Sequence, residues 1–336
     1  MKKVLLRVSA LLVLSAAGLA AYVLLKTPEA SSPRAGKVPM SPERIARGKY
    51  LFHNVALCAD CHSPRDYSKY IAPRDPARIG HGDVFPEKEV GVLIAPNLTP
   101  DPETGLGRWT DGEKLRAIRE GVSKDGHALF PIMPYDGLSA LSDEDAEAVV
   151  AYMNSLPPAK SSLPKTELKF PLPIVAKWMP KPVRGSVTAP NPADRVAYGQ
   201  YLSKVGGCAF CHSPGEQSNV DTTRLFAGGR EFKGGPNMLV RSANLTPDLE
   251  TGIGKWSEQR FLNRFAEFRE YLPGEDGKVA QPDVPATTPA NFTVMHWLSF
   301  AGMKEDDLRA LYAYLRTVPA QSNKVEIRPS ASGSGL

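Results

Sequence analysis

After Ser142, apolar residues fall at Ala146, Val149, Val150 and Met153, and the same stripe runs through Leu308, Leu311, Tyr312 and Leu315. That i, i+3, i+4, i+7 spacing puts each set on one face of a helix. Start signals agree: Ser41 precedes Pro42 as an N-cap, Thr110 with Glu113 fits a capping box, and Ser142 with Asp145 resembles one with Asp in place of Glu. No stretch alternates apolar and polar positions long enough to require a sheet, so the expected fold class is all-α. The N-terminus is patterned differently. Lys2, Lys3 and Arg7 precede an apolar run of eighteen residues, Val8 to Leu25. A basic end before such a run is an export signal, and eighteen residues is near the lower limit for crossing a bilayer. The run continues past the possible cleavage site at Gly18–Ala20, which favours a retained anchor over a cleaved signal. Lys26 to Met40, rich in Pro, Ser and Ala, reads as a flexible tether.

Comparison of the chain with itself shows blocks recurring in one order. "PERIARGKYL" returns as "ADRVAYGQYL", "APNLTPDPETGLGRW" as "SANLTPDLETGIGKW", and "LSDEDAEAVVAYMNSLP" as "MKEDDLRALYAYLRTVP". The offsets are 151, 147 and 162 residues, so each copy keeps its parts with small loop changes. The organisation expected is an anchor and tether at 1–36, a first domain at 37–158, a strap at 159–192, a second domain at 193–320 and a tail at 321–336. Prolines exclude long helices from the strap, while Phe170, Ile174, Trp178 and Met179 suggest that it packs on the domains.

Composition adds limits. The 336 residues suffice for two domains with their own cores, and 42% hydrophobic with 23% charged residues is ordinary for a globular protein. The net charge of +5 is mild, and residues 1–36 hold five basic residues against one acid. Nucleic acid is therefore not an expected partner, since phosphate binding needs a concentrated basic face.

All four cysteines lie in two copies of one pentapeptide, "CADCH" from Cys58 and "CAFCH" from Cys208, offset by 150 residues. C-x-x-C-H is the attachment signature of c-type haem. Residues three apart on a helical turn face the same way, so Cys58 with Cys61, and Cys208 with Cys211, can reach two vinyl groups on one porphyrin edge. His62 and His212 then lie beneath the iron as proximal ligands. A four-thiolate zinc site would need its pairs closer in sequence. Two disulfides leave both histidines unexplained, and a thioredoxin-like pair lacks its βαβ setting. The cofactors expected are two covalently bound haem c groups.

The sixth iron ligand separates carriers from enzymes. Met133 stands 24 residues before Pro157 and Met295 stands 24 before Pro319, and of eight methionines these are the pair that the repeat aligns. They are the expected distal ligands, with His296, Met303 and Met238 as competitors for the second site. His53, His81 and His127 have no counterpart in the second copy and read as surface or local hydrogen-bonding residues. Trp109 and Trp256 read as packing residues, and Gly48 and Gly199 as sites of close helix crossing.

The two C-x-x-C-H motifs, the two NLTP blocks, "LFPIMPY", "TVMHWLSFAGMKEDDLRALYAYL" and "FPLPIVAKWM" together resemble one family: the membrane-associated cytochrome c subunits of bacterial periplasmic dehydrogenases for alcohols, gluconate and related substrates. The resemblance spans about 40 to 320. It implies two cytochrome c-like domains, haem on Cys58, Cys61, Cys208 and Cys211, and iron ligation by His62, Met133, His212 and Met295. Several members of that family carry three haems, whereas this chain has two attachment motifs. The function implied is electron transfer from a periplasmic dehydrogenase toward the respiratory chain, with the quinone pool, a small cytochrome or a terminal oxidase as acceptor. An activity of its own is not expected, and the place expected is the periplasmic side of the inner membrane, anchored or released by cleavage. The alternative is a dihaem peroxidase-like oxidoreductase with one open iron, for which His296 beside Met295 is the one hint. A haem-based sensor would need a signalling domain, which the sixteen residues after Ala320 do not hold.

Overall fold

A computed structural model describes residues 2–87, 90–215, 219–235, 237–272 and 284–329. Its helices are α1 (Lys2–Leu25), α2 (Pro42–Tyr50), α3 (Cys58–Cys61), α4 (Asp111–Glu120), α5 (Tyr135–Leu138), α6 (Asp143–Ser155), α7 (Leu172–Ala176), α8 (Arg195–Val205), α9 (Cys208–His212), α10 (Glu258–Ala266), α11 (Trp297–Ala301) and α12 (Glu305–Leu315). Short strands are β1 (Asp83–Glu87), β2 (Gly91–Ala95), β3 (Glu167–Leu168), β4 (Glu231–Lys233) and β5 (Leu239–Arg241).

The protein is thus mostly helical but not all-α. β1 and β2 pair antiparallel from Asp83↔Ala95 to Glu87↔Gly91, β3 joins β2, and β4 pairs with β5. Five- and three-residue strands are too short to show alternation, and "GVLIA" is a continuous apolar run rather than an alternating one.

In the first half α2 crosses α6, and in the second α8 crosses α12. A Cβ on Gly48 would fall against the carbonyl oxygen of Ala148 and lie 2.9 Å from Cβ of Tyr152. A Cβ on Gly199 would meet the carbonyl oxygen of Ala310 and lie 2.9 Å from Cβ of Tyr314. Only glycine lets the backbones approach so closely.

The two helix pairs then face each other through reciprocal contacts. Tyr50 on α2 donates to Asp307 on α12 (2.5 Å) and accepts from the Lys304 backbone (3.2 Å). Tyr201 on α8 donates to Asp145 on α6 (2.6 Å) and accepts from the Ser142 backbone (3.2 Å). Within the first half Arg47 makes a two-pronged bond to Asp145, both arms at 2.8 Å, and it also donates to the Tyr198 hydroxyl of the second half at 3.3 Å. Asp145 therefore keeps its backbone bond to the Ser142 cap while its carboxylate bridges Arg47 of its own half and Tyr201 of the other. One continuous core runs through both halves, from Leu51, Phe52 and Val149 to Leu202 and Leu308. A smaller cluster of Ile71, Phe268, Val284, Leu298 and Ala301 seals the loop at 65–74 against the second half.

Segments outside the helix pairs lie along the body. The stretch read as a flexible tether is bound: the buried carboxylate of Glu120 accepts the Ser31 N–H at 2.7 Å, and Val38 is buried with its N–H on Asp111. The other Glu120 oxygen accepts the Val183 N–H of the strap (3.1 Å), so one carboxylate pins both connections. In the strap Ile174 and Met179 are half-buried as expected, whereas Phe170 and Trp178 face outward at 84% and 44% exposure. The tail lies beside β5, where Arg241 N–H donates to Ile327; residues 330–336 of the tail lie outside the described residues. α1 is 24 residues, about 36 Å at 1.5 Å per residue, long and apolar enough to cross a membrane, and none of it is buried.

Candidate haem-attachment sites

Each pentapeptide is preceded by a left-handed residue, Leu57 (φ 58°) or Gly207 (φ 64°), and opens as one helical turn, α3 or α9. The turn places Cys58 with Cys61, and Cys208 with Cys211, three residues apart on one face. All four thiols are free. Among the described residues no three His, Cys, Asp or Glu side chains converge as a metal-ion cage. Burial pushes the Cys58 thiol up to about 12 and those of Cys61 and Cys211 up to about 11. Thiols so strongly protonated are poor nucleophiles for disulfide exchange.

The histidines meet the requirement for a proximal ligand. Burial pushes the His62 imidazole down to about 4 and lowers that of His212. Both rings are therefore neutral at physiological pH. Nδ1 of His62 lies 2.8 Å from the Pro96 carbonyl, and Nδ1 of His212 lies 2.8 Å from the Ala243 carbonyl. A carbonyl can only accept, so Nδ1 carries the proton and Nε2 keeps its lone pair for a metal.

The recurring blocks around these residues share one set of bonds. Ser63 and Ser213, fully buried, accept the N–H of Gly80 (3.1 Å) and of Phe226 (3.0 Å). The carbonyls of His62 and His212 accept the N–H of Gly82 (2.8 Å) and of Gly228 (2.7 Å). In the NLTP blocks Asn97 donates to the Ala159 carbonyl (2.7 Å), and Asn244 donates to that of Gln321 (2.8 Å). Asp101 and Asp248 each fold their own loop, accepting both the N–H and the hydroxyl of Thr104 and of Thr251. The block therefore clasps the chain as it leaves the last helix of each half, while the residue just before its Asn holds the histidine. The recurrence of these blocks is visible in the sequence, whereas their role as clasps is not.

Met133 and Met295 are half-buried and pack, with Cys58 and Cys208, against the main core. Their carbonyls accept the N–H of Tyr135 and of Trp297, both at 2.8 Å, so the same turn leads each methionine into a short helix, α5 or α11. Of the competitors, Met303 is 3% exposed within the core. Trp109 and Trp256 stand just before the caps of α4 and α10 and pack on the same core. Thr110 and Glu113 form both arms of the capping box.

His296 is turned elsewhere. Its Nδ1 lies 2.7 Å from Asp60, the third residue of the first pentapeptide. Asp60 is 4% exposed, pairs with Arg74 at 3.0 Å and accepts from the Ser299 hydroxyl at 2.8 Å. Arg74 also donates to that hydroxyl (3.1 Å). Burial opposes ionisation of Asp60, but Arg74, His296 and Arg65 outweigh it and hold the carboxyl well below the usual carboxylate range. A charged cluster thus joins the first attachment turn to the segment carrying Met295. No repetition could have revealed it, because Phe210 stands where the second copy would need Asp60. Of the remaining histidines, His53 bonds Tyr152 at 2.8 Å, His127 bonds Asp125 on the surface, and His81 is half-buried.

Residues 45–157 match the cytochrome c family. The chain is 29% identical to the fructose dehydrogenase cytochrome subunit of Gluconobacter japonicus over 322 residues, 92% of this chain and 60% of that protein. It is 29% identical to the cytochrome c subunit of the quinone alcohol dehydrogenase of Gluconobacter oxydans over 293 residues, 82% of this chain and 55% of that one. A diheme cytochrome c-type protein of Cereibacter sphaeroides is 27% identical over 286 residues, 82% of this chain and 86% of the relative. The chain thus spans little more than half the length of the two dehydrogenase subunits.

Proposed function

We propose that this chain, which contains a cytochrome c domain and resembles the cytochrome c subunits of dehydrogenases, is an electron carrier with two cytochrome c-like domains in tandem. Each would hold one haem c: on Cys58 and Cys61 with His62 and Met133 as axial ligands, and on Cys208 and Cys211 with His212 and Met295. When bound, the group supplies an iron that takes up and gives back one electron. The observation that carries this reading is the matched pair of histidines, each neutral, with Nδ1–H on a backbone carbonyl and Nε2 left to ligate. The proton on Nδ1 fixes the tautomer and the ring plane, and the carbonyl raises the basicity of Nε2. Met133 and Met295, in equivalent turns, would close the opposite side, which suits a carrier rather than a site for peroxide. Nδ1 of His296 stands 2.7 Å from Asp60, which weakens the one sequence hint of acid–base chemistry.

The donor would be a dehydrogenase, as the names of the relatives suggest, and the acceptor the quinone pool, a small cytochrome or a terminal oxidase. α1 would anchor the chain with its body on the periplasmic face. Two measurements test the reading. A pyridine haemochrome assay should give two haems per chain; one would overturn the two-site arrangement. Carbon monoxide should leave the spectrum of the reduced protein unchanged, while Met133→Ala and Met295→Ala should each open half of the haems. Rapid binding at half of the haems in the unsubstituted protein would overturn the carrier reading in favour of an enzyme.

A further inference from the structure

The strap and the base of α1 meet. Trp178 stands edge-on to Tyr22 with ring centroids 5.7 Å apart, and the Lys26 ammonium sits 4.8 Å from the centre of the Trp178 ring. Lys177 donates to the Leu24 carbonyl at 2.8 Å, in the last turn of α1, where orphan carbonyls favour a cation. Beyond these contacts the segment 170–178 around α7 has two faces. Ala176 is 3% exposed against the protein, whereas Phe170, Val175 and Trp178 are 84%, 47% and 44% exposed.

Three large apolar side chains facing outward would be unexpected on a surface meeting only water. Their position resolves the difficulty. Trp178 stands against Tyr22 where the exposed apolar surface of α1 ends, and Phe170 and Val175 are exposed in the same short segment. Tyr and Trp beside lysine at the end of an apolar helix is the arrangement of the bilayer interface, where rings lie at headgroup level and ammonium groups reach the phosphates. Charge agrees: residues 159–192 hold six basic residues (Lys160, Lys165, Lys169, Lys177, Lys181, Arg184) against the single acid Glu167. An anionic lipid surface is the complement of that segment.

We infer that the strap around α7 is a second membrane contact, lying in the headgroup layer with Phe170, Val175 and Trp178 inserted. This rests on the reading of α1 as a membrane anchor. Two contacts from separate segments would fix the tilt of the body on the bilayer, where a single helix leaves it free to swing. The face presented to soluble partners would thereby be set by the strap.

The test uses the full chain, with haem attached so that the native thiols are consumed, in phosphatidylcholine–phosphatidylglycerol vesicles. Single substitutions Phe170→Cys, Val175→Cys, Leu12→Cys and Leu249→Cys are labelled with a membrane-impermeant maleimide. All four positions are exposed on the protein itself, so protection must come from lipid. The expected result is labelling at 170, 175 and 12 at least tenfold slower than at 249. Labelling at 170 and 175 as fast as at 249, with 12 protected, would overturn the strap inference and leave the anchor standing. Equal labelling at every position would overturn both. Protection at 170 and 175 with 12 labelled would support the strap contact and remove the anchor.

Discussion

Asp60→Asn keeps the shape of a buried side chain and removes its charge. Arg74, only 9% exposed at its side chain, then stands in the interior without its counterion, and His296 loses its partner across the interface between the halves. Removing one member of a buried, hydrogen-bonded ion pair costs about 3–5 kcal/mol, because the other is left uncompensated. For a body of this size each kcal/mol lowers Tm by roughly 2–4 °C, so a fall of roughly 6–20 °C is expected. The assay is thermal unfolding of the haem-loaded protein followed by far-ultraviolet circular dichroism. Paired with His296→Ala in a double-mutant cycle, the two losses should be non-additive by about 0.5–3 kcal/mol. A Tm change below 2 °C for Asp60→Asn, or simple additivity with His296→Ala, would refute the claim that this cluster joins the halves.

Gly48→Ala should destabilise by roughly 1–3 kcal/mol through overpacking against Ala148 and Tyr152, and Gly199→Ala by a similar amount; urea midpoints at unchanged m-value check this. Burial, reinforced by Arg74 and Lys49, pushes His53 down to about 3 against about 6.5 in the unfolded chain, so between those values the unfolded state alone binds the proton. Its contribution is complete above about pH 6.5 and is lost as pH falls toward 3, and His53→Gln should flatten that part of the Tm–pH curve relative to the parent. Asn97→Ala removes the bond to the Ala159 carbonyl and the Asn97 oxygen that accepts the Thr99 N–H, both in buried surroundings. A loss of about 2–4 kcal/mol is expected from the groups left unpaired, and hydrogen exchange should rise first at 97–106 and 158–161.

Helices were legible where local chemistry decides them. The caps at Ser41, Thr110 and Ser142 and the apolar stripes of α6 and α12 depend on residues within one or two turns of each other. The pentapeptides stand out in the sequence because the spacing of their thiols itself points to one chemistry. The short sheets were not, since pairing across a hairpin leaves no period in three to five residues. The outward faces of Phe170 and Trp178 were also hidden: hydrophobicity says that a side chain avoids water, not which apolar surface it will find. Least legible was the Asp60 cluster, whose members come from places far apart in the sequence and look ordinary one at a time.

Tyr50 is bonded to a residue 257 positions later, and Asp60 accepts from one 239 positions later. A chain made from its N-terminus presents both long before their partners exist. Until residues 296–307 emerge, the first half holds a tyrosine without its carboxylate acceptor and an Asp60 that has Arg74 but neither His296 nor the Ser299 hydroxyl. The half synthesised first is therefore the half finished last, and a nascent chain arrested before residue 296 should remain open to proteases at the loop 65–74.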